Sequence, residues 1–314
     1  MFLILPKREF EAIDYMTRRI SIICLLILAA VGYGCRNPAP LVPKDSNTRV
    51  MTDDLGRSVK IPAKVERAIS LAPNLTEIIF AVGAGGRLVG VTSYCNYPAE
   101  AQSIQKVSDT LTPNIENIIA LRPEVVFVST ASQLESFMQT LTEQNIAVFV
   151  TSPDGIEGIY KSIQDVGSIL GHGTNAEEVV IGLKKRVSFV ENQTAGMERP
   201  KVFVQIDKNA LYTIGNESFI TDIVHRAGGI SATADVGTAY PKLSKETALA
   251  LRPDVIILSA SEGNREPNDV FKNSPAVRDR KVFSIDADLL SRPGPRIVDA
   301  LEQIAKYLHP EKFK

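Results

Sequence analysis

One passage occurs twice in this chain of 314 residues. Residues 114–129 read NIENIIALRPEVVFVS, and residues 244–259 read SKETALALRPDVIILS. Each copy begins at a capping residue, Asn114 or Ser244, continues as a short helix with periodic apolar residues, ends at Arg-Pro and passes into a β-branched strand. The identical pairs are Glu116 and Glu246, Ala120 and Ala250, Leu121 and Leu251, Arg122 and Arg252, Pro123 and Pro253, Val125 and Val255, and Ser129 and Ser259. The repeat predicts two similar α/β lobes, and such a protein commonly holds a ligand in the cleft between them.

The first 35 residues have the pattern of an export signal. The basic pair Arg18-Arg19 precedes an apolar run, Ile20 to Val31, that is too short to span a bilayer comfortably. Acidic residues stand ahead of the basic pair, which a signal does not need, so Met16 is the expected true start. Residues 1–35 are therefore predicted to be a signal peptide and not part of the fold.

The apolar run ends at Cys35, which we expect to be the site of lipid modification. A Pro-rich stretch follows it, and residues 36–49 are predicted to be a flexible tether. The match to a bacterial lipoprotein signal is partial, because Gly32 stands where such signals usually carry an aliphatic residue. Cleavage by ordinary signal peptidase, which would give a soluble periplasmic protein, remains open at this stage.

Composition argues against several classes of protein. The formal net charge of −1 and the absence of a Lys/Arg-rich tract give no sign of nucleic-acid binding. The three histidines, His172, His225 and His309, are too scattered for a metal cage, so no metal and no cofactor of its own are expected. Cys95 has no partner for a disulfide once the signal is removed.

Strands and helices alternate on either side of a central helical stretch. Residues 50–152 are predicted to form an N-terminal lobe and residues 200–314 a C-terminal lobe, each with a parallel sheet. In the first lobe, Asn74 is predicted to cap a helix. Residues 153–199 carry two capping-box patterns, Asp154 with Glu157 and Thr174 with Glu177. The second pattern opens an amphipathic helix from about Asn175 to Gln193, roughly 28 Å long, which is suited to be a strut between lobes.

Four segments resemble one family of transport proteins. Residues 67–129 include SLAPNLTEIIFAVG and SYCNYP, residues 212–229 read YTIGNESFITDIVHRAGG, residues 240–253 read YPKLSKETALALRP, and residues 291–297 read SRPGPRI. In this order they resemble the helical-backbone (class III) periplasmic substrate-binding proteins of ABC transporters for cobalamin, haem and iron–siderophores, and the cobalamin binders in particular. The resemblance implies two Rossmann-like lobes bridged by a long α-helix, with a ligand cleft between the lobes. It also implies a monomer that delivers its ligand to an ABC permease dimer with ATPase subunits.

The resemblance assigns a role to the two repeated glutamates. In this family a glutamate on each lobe pairs with arginines of the permease, and by position these are Glu116 and Glu246. Each lies in the first turn of a predicted helix, where the helix dipole favours an acid by about 0.3–1 kcal/mol in any protein. The dipole does not require the same position in both lobes, so docking is the favoured interpretation.

Ligand contacts are expected in the loops that follow the strands. The resemblance places them at Tyr94, Tyr97, Tyr212, Tyr240 and Arg292. Tyrosine offers flat apolar area together with a hydroxyl, which suits a large and partly polar macrocycle. For any single tyrosine among these, packing within a lobe is an alternative of nearly equal weight.

The absence of tryptophan bears on the choice of ligand. Cobalamin binders of this type use several tryptophans, and this chain has none. The position after Asp109-Thr110 that could carry one holds Leu111, which we include among the expected contacts. A corrinoid is the expected ligand. Haem, with a tyrosine as axial ligand, and a ferric siderophore are the alternatives.

An enzyme is the least favoured interpretation. Gly83-Ala84-Gly85-Gly86 follows a predicted helix and not a strand, so it is typical of a helix C-cap and turn and not of a phosphate-binding loop. The chain carries no GxSxG, HExxH or Walker sequence. A surface adhesin would not need two equivalent carboxylates on two lobes. We therefore expect a binding protein, attached to a membrane only through a lipid anchor.

Overall fold

The computed structural model describes residues 47–109, 114–129 and 135–313. The expected signal peptide, Cys35 and Leu111 lie outside these ranges. The described part has one antiparallel hairpin and two parallel sheets. Among the described residues, no helix is both long enough and apolar enough to cross a bilayer.

The hairpin consists of β1 (Thr48–Thr52) and β2 (Ser58–Pro62). The two strands pair along their whole length, from Thr48 with Pro62 to Thr52 with Ser58. Its turn covers the edge of the first sheet, since the Asp54 N–H donates to the Val150 carbonyl at 3.1 Å and Arg57 Nη2 donates to the Val148 carbonyl at 3.2 Å. An edge strand covered in this way is protected from pairing with another chain.

The first lobe contains a five-stranded sheet with the order β5, β4, β3, β6, β7, in which every pair is parallel. Its strands are β3 (Ala68–Ser70), β4 (Leu88–Thr92), β5 (Lys106–Ser108), β6 (Val125–Ser129) and β7 (Ala147–Thr151). The helices of this lobe are α1 (Pro73–Ala81), α2 (Ile115–Ala120) and α3 (Glu135–Glu143). Alternate residues of β6 enter different cores, because successive side chains point to opposite faces of a sheet.

The second lobe contains a four-stranded parallel sheet with the order β11, β10, β8, β9. Its strands are β8 (Lys201–Gln205), β9 (Ile230–Ser231), β10 (Val255–Ala260) and β11 (Val282–Asp286). Its helices are α6 (Phe219–Arg226), α7 (Lys245–Leu251), α8 (Pro275–Arg278), α9 (Ala287–Ser291) and α10 (Ile297–Leu308). The predicted two-lobed α/β fold with parallel sheets is thereby confirmed.

The sequence repeat is also a structural repeat. Helix α2 leads into β6 as α7 leads into β10, and the arginine before each proline has a left-handed backbone, with φ of 46° at Arg122 and 44° at Arg252. The next acidic residue of each copy, Glu124 or Asp254, accepts a backbone N–H from the strand beside it. The predicted equivalence of the two passages is confirmed, since the same turn ends each helix.

Two helices, α4 (Ile156–Ile169) and α5 (Gly173–Thr194), join the lobes. Helix α5 has 22 residues, which corresponds to about 33 Å. It packs against α4 at one side and against α6 and α10 of the second lobe. One apolar core runs from Phe149 through Ile163 and Leu183 to Val204. The long helix is therefore a packed strut, as predicted, while the exact lobe boundaries at 152 and 200 stay predictions.

Neither predicted capping box forms. Helix α4 begins at Ile156 after Gly155, so Asp154 lies one residue too early, and the Ile156 N–H instead donates to Asp222 Oδ2 of α6 at 2.9 Å. Helix α5 begins at Gly173, which places Thr174 inside its first turn. The first capping prediction was wrong because a carboxylate from the other lobe takes the role expected of Asp154, and the second was wrong because α5 begins before Thr174.

Candidate functional site

A cavity of ≈ 600 Å³ opens between the two sheets, at the carboxyl ends of their strands. This is the position at which open α/β sheets bind ligands. In the first lobe its walls come from the loops after β3, β4, β6 and β7. In the second lobe they come from the start of α6, the segment before α7 and the segment after β11. The lining residues are Ala72, Pro73, Asn74, Tyr94, Ser129, Ser152, Pro153, Glu217, Ser218, Phe219, Ala239, Tyr240, Asp288, Ser291, Arg292 and Pro293.

Tyr94 and Tyr240 bring one aromatic ring from each lobe to this cavity. Their exposed fractions are 59% and 46%, so both rings present area that a ligand could cover. Burial of the hydroxyl end raises the pKa of Tyr240, while a hydrogen bond with the Ser218 side chain opposes this shift. The phenol of Tyr240 therefore stays neutral at physiological pH and keeps a proton to donate.

Arg292 lies in the wall of the cavity with its charge already compensated. Its Nη1 donates to Glu77 Oε1 at 2.9 Å and to Asn96 Oδ1 at 2.8 Å, and its Nη2 lies 2.6 Å from Asp288 Oδ2. The Arg292 side chain is 10% exposed and that of Glu77 is 2% exposed. Arg292 is thus the centre of a buried ion-pair cluster.

Glu77 binds a second arginine as well. Arg296 donates from Nε to Glu77 Oε2 at 2.8 Å and from Nη2 to Oε1 at 2.6 Å, the paired geometry that suits a guanidinium and a carboxylate. The hydrogen bonds to Glu77 raise the pKa of Arg296. Helix α1 of the first lobe is therefore fixed to the start of α10 in the second lobe.

Two further hydrogen bonds cross between the lobes at this wall. Asn96 Nδ2 donates to Asp288 Oδ2 at 3.1 Å, and Asn74 Nδ2 donates to the Pro293 carbonyl at 3.3 Å. Asn74 was predicted to cap α1, but Ala72 is the N-cap and Pro73 is the first helical residue, a position that proline favours. The side chain of Asn74 is thus free to reach across the cleft.

The rest of the cavity surface is mainly apolar, and it also carries hydroxyls and carboxylates; its apolar residues are Ala72, Pro73, Pro153, Phe219, Ala239 and Pro293. Ser129, Ser152 and Ser291 contribute hydroxyl groups, while Glu217 and Asp288 contribute acids. Arg292 is the only cation among the described residues that line the cavity, and Asp288 and Glu77 neutralise it. The cavity can therefore accept hydrogen bonds from many donors but has little uncompensated positive charge to offer an anion.

Tyr97 and Tyr212 do not line this cavity. The Tyr97 ring is stacked on the Arg296 guanidinium, whose carbon lies 3.9 Å from the ring centre, in a neighbouring groove of ≈ 400 Å³. Tyr212 forms β-bridges with Asp207 and Lys242. Leu111 lies outside the described residues. The assignment of these three residues as ligand contacts stays a prediction, whereas Tyr94, Tyr240 and Arg292 do meet at one cavity.

Glu116 and Glu246 are both exposed and lie in the first turns of α2 and α7. The Asn114 side chain caps α2 by accepting the Asn117 N–H at 3.0 Å, and the Ser244 hydroxyl caps α7 by accepting the Thr247 N–H at 3.0 Å. A crossover helix starts at the carboxyl end of the sheet, so both glutamates lie toward the cleft side of their lobes. Hydrogen bonds from its own backbone N–H and from Ser244 lower the pKa of Glu246, which keeps this carboxylate ionised.

Sequence reasoning missed Glu77, Asn96 and Asp288. A signal for Glu77 was present, because it is a lone acid within the apolar run LTEIIF, and a buried carboxylate requires a partner. No comparable signal marks Asn96 or Asp288. No cluster of three or more histidine, cysteine or acidic side chains that could hold a metal ion occurs within residues 47–109, 114–129 and 135–313.

Comparison with known proteins agrees with this architecture. A family model described as periplasmic binding protein matches residues 69–289, which is more than half of the chain. A protein of Bacillus subtilis strain 168, named as an uncharacterized ABC transporter substrate-binding lipoprotein, YvrC, is 29% identical over 95% of this chain and 100% of its own length.

Two solved structures have the same fold. The periplasmic vitamin B12 binding protein BtuF of Vibrio cholerae matches with a TM-score of 0.71 and 26% identity, over 81% of this chain and 100% of that one. The periplasmic heme-binding protein RhuT from Roseiflexus sp. RS-1 matches with a TM-score of 0.70 and 24% identity, over 79% of this chain and 99% of that one. Because proteins named for different ligands match equally well, the fold alone does not select the ligand.

Proposed function

Since the chain belongs to the periplasmic binding protein family, we propose that it is the substrate-binding protein of an ABC importer and that its ligand is a corrinoid of the cobalamin type. It captures the ligand between its lobes and delivers it to a membrane permease. The vitamin B12 binding relative supports the class of ligand. The relative named as a substrate-binding lipoprotein supports the role in an ABC transporter. No chemical step is assigned to the protein, because binding and release are sufficient for this role.

The chemistry of the cavity is the observation that carries the choice of ligand. A corrin ring presents a flat macrocycle edged with neutral carboxamides, which donate hydrogen bonds through their N–H groups. Tyr94 and Tyr240 offer aromatic area to the ring, and the acids Glu217 and Asp288 with the serine hydroxyls offer acceptors to the amides. The cavity volume of ≈ 600 Å³ lies in the ordinary range for small-molecule sites, about 300–1,000 Å³.

The charges of the same lining residues also rank the two alternative ligands, a ferric siderophore and haem. An anionic ferric siderophore would place its charge beside Glu217 and would meet Arg292 only as a cation already compensated by Glu77 and Asp288, so it is disfavoured. Haem is the second candidate, because Tyr94 is 59% exposed at the cavity and a phenolate is a known type of axial ligand. The two haem propionates would likewise meet Glu217 and a compensated Arg292, which is why we place haem second.

We assign delivery to Glu116 and Glu246. They occupy equivalent turns of the two lobes, they are exposed, and neither forms an ion pair within the described residues. Two separated carboxylates that meet arginines on the two halves of a dimeric permease would fix the cleft over the transport path. An isolated adhesin or enzyme has no need of this arrangement.

Export and attachment complete the proposal. The predicted signal and the lipoprotein relative support lipid modification of Cys35, with a soluble periplasmic form as the alternative. Replacement of Cys35 by serine tests this point, because a protein anchored through that residue would move from the membrane fraction to the soluble fraction. A distribution unchanged by Cys35→Ser would support the soluble form.

The absorbance spectrum of the protein purified with its native ligand tests the proposed function. The proposal predicts corrinoid bands that shift when cyanide is added. A Soret band would establish the haem alternative, and ferric–siderophore charge-transfer bands would contradict the inference from the compensated charge of Arg292. The spectrum needs no prior choice of ligand.

A further inference from the structure

The docking glutamate of the second lobe lies beside exposed apolar surface. On α7, Leu249 and Ala250 follow Glu246 by three and four residues, so all three share one face of the helix. Leu249 is 58% exposed and Ala250 is also exposed. Ala248, on the opposite face, is fully buried in the lobe. Folding alone therefore gives no reason for a leucine at position 249.

The first lobe carries the same arrangement. On α2, Ile119 and Ala120 follow Glu116 at the same spacing; Ala120 is exposed, whereas Ile119 packs against the core of the first lobe and is only partly exposed. Ile118, at the position equivalent to Ala248, is fully buried. Exposed single apolar residues are common and need no explanation. An acid followed by an aliphatic residue and an alanine at equivalent positions of two lobes is a stronger observation, because the two helices have different neighbours.

We propose that Glu116, Ile119 and Ala120 in one lobe, and Glu246, Leu249 and Ala250 in the other, form a pair of mixed docking patches for the permease. This inference rests on the proposed function and extends it from two point charges to two surfaces. The occupant is a membrane partner with two equivalent sites, each presenting an arginine flanked by apolar side chains. The internal repeat of the chain is the reason for choosing a partner with two equivalent halves.

The apolar residues have a physical role beside each charge. A surface ion pair by itself contributes little, about 0–1 kcal/mol, because water screens it. Apolar side chains around such an ion pair exclude water from it and so strengthen the electrostatic attraction. In other interfaces, residues that contribute little energy themselves surround the dominant contacts and exclude water in the same way. The small alanine leaves room for a guanidinium to approach. Leu249 is the more exposed of the two aliphatic residues, so the second lobe supplies the larger apolar contribution.

The test is the affinity of the full-length protein for the permease complex whose transport it supports, with that complex held in nanodiscs. We expect Leu249→Ser to weaken binding about tenfold, since burial of a leucine side chain contributes about 1.5–3 kcal/mol when complete and this one is half exposed in the free protein. Ile181→Ser is the matched control, because Ile181 is 60% exposed on α5, away from both patches. We expect less than a twofold change for it.

The salt dependence separates the two contributions. Glu246→Gln should flatten the decline of affinity with ionic strength, whereas Leu249→Ser should lower the affinity and keep that decline. Equal affinities of the wild type and Leu249→Ser would overturn the patch proposal while leaving docking by the glutamates in place. Full affinity of the double variant Glu116→Gln with Glu246→Gln would contradict docking by these glutamates, whatever Leu249→Ser does.

Discussion

Glu77 of the first lobe and Arg292 of the second form a buried ion pair, with Arg292 Nη1 2.9 Å from Glu77 Oε1. The same carboxylate holds Arg296, so one acid on α1 fixes the arginines at the end of α9 and at the start of α10. Arg292 lines the candidate cavity, and Glu77 lines the neighbouring groove. Helix α5 joins the two lobes at one place, and this ion-pair cluster joins them at a second place. We therefore expect the cleft to change shape by small amounts only.

Replacement of Glu77 by alanine should destabilise the protein by about 3–5 kcal/mol, because it leaves the largely buried guanidinium of Arg296 without a carboxylate and that of Arg292 with Asp288 alone. The measurement is the free energy of unfolding in urea, followed by circular dichroism. Small-angle scattering of the folded variant should also show a larger radius of gyration, since contacts between the lobes are lost.

Glu100→Ala is the control for this experiment. Glu100 is exposed and lines the groove next to Glu77. Its replacement should change the free energy of unfolding by less than about 0.5 kcal/mol. An equal effect of the two substitutions would show that the cluster does not stabilise the arrangement of the lobes.

The facing tyrosines should dominate ligand affinity. The double variant Tyr94→Ala with Tyr240→Ala removes an aromatic ring from each side of the cavity and should weaken cyanocobalamin binding by several kcal/mol, given about 2–4 kcal/mol for a typical aromatic contact at the centre of an interface. Thermal stability should hardly change, because both rings are about half exposed. Titration calorimetry measures the first quantity and a melting curve the second.

Tyr212→Ala provides the comparison, since Tyr212 is 41% exposed but lies away from the cavity. Wild-type affinity of this variant would show that Tyr212 makes no ligand contact, against the prediction from the family resemblance. A loss of affinity with Tyr212→Ala as large as with the cavity pair would mean that the bound form uses a wider surface than the ≈ 600 Å³ cavity.

The sequence predicted the elements better than the contacts between them. The repeat around Arg122 and Arg252 could be predicted because helix, turn and strand are each encoded by neighbouring residues. The Glu77–Arg292 pair could not, because its members are 215 positions apart and meet only after two lobes have packed. The cap that Asp222 provides to α4 from the other lobe could not be predicted for the same reason, because Asp222 and Ile156 are 66 positions apart.

The candidate site shows the same difference between what local sequence predicts and what long-range packing determines. Tyr94, Tyr240 and Arg292 stand in segments that carry the family resemblance, and the structure brings them to one cavity. The charge state of that cavity depends on Asp288 and Glu77 around Arg292, which no local pattern announced. The positions of cavity-lining residues can thus be predicted from sequence motifs. The net charge of the cavity cannot, because it depends on residues that are close in space but distant in sequence.

Tyr160→Phe should stabilise the protein. The Tyr160 hydroxyl on α4 is buried and makes no hydrogen bond within the described residues, so its removal relieves the cost of an unsatisfied polar group, about 1 kcal/mol. Burial, with the nearby Glu157 carboxylate, raises the pKa of Tyr160 to about 12. The unfolded phenol ionises near pH 10, so the stability of the wild type should fall as pH rises from about 10 to about 12, and Tyr160→Phe should lack this part of the decline.

Melting temperatures of the two proteins at pH 8 and pH 11 provide this measurement. Tyr307→Phe serves as the control, because the Tyr307 hydroxyl donates to the Ser284 carbonyl at 3.3 Å. It should give no gain in stability. A wild type more stable than Tyr160→Phe at both pH values would mean that the Tyr160 hydroxyl has a partner.

Reversal of both docking charges, Glu116→Lys with Glu246→Lys, should abolish uptake of cyanocobalamin into proteoliposomes that hold the permease complex, because it places like charges together. Ligand affinity of the isolated protein should be unchanged, since both carboxylates lie outside the cavity lining. Each single reversal should give a partial loss. Normal transport by the double variant would return both glutamates to the role of ordinary first-turn acids.

The most direct test of the central claim is a calorimetric titration of the ligand-free protein with cyanocobalamin, haem and an anionic ferric siderophore in turn. The account predicts saturable one-to-one binding of cyanocobalamin at micromolar concentration or below, weaker binding of haem and none of the siderophore, because the cavity joins aromatic rings from both lobes to hydrogen-bond acceptors and its one lining cation among the described residues is compensated. Tight binding of the ferric siderophore, with no heat from cyanocobalamin, would contradict it.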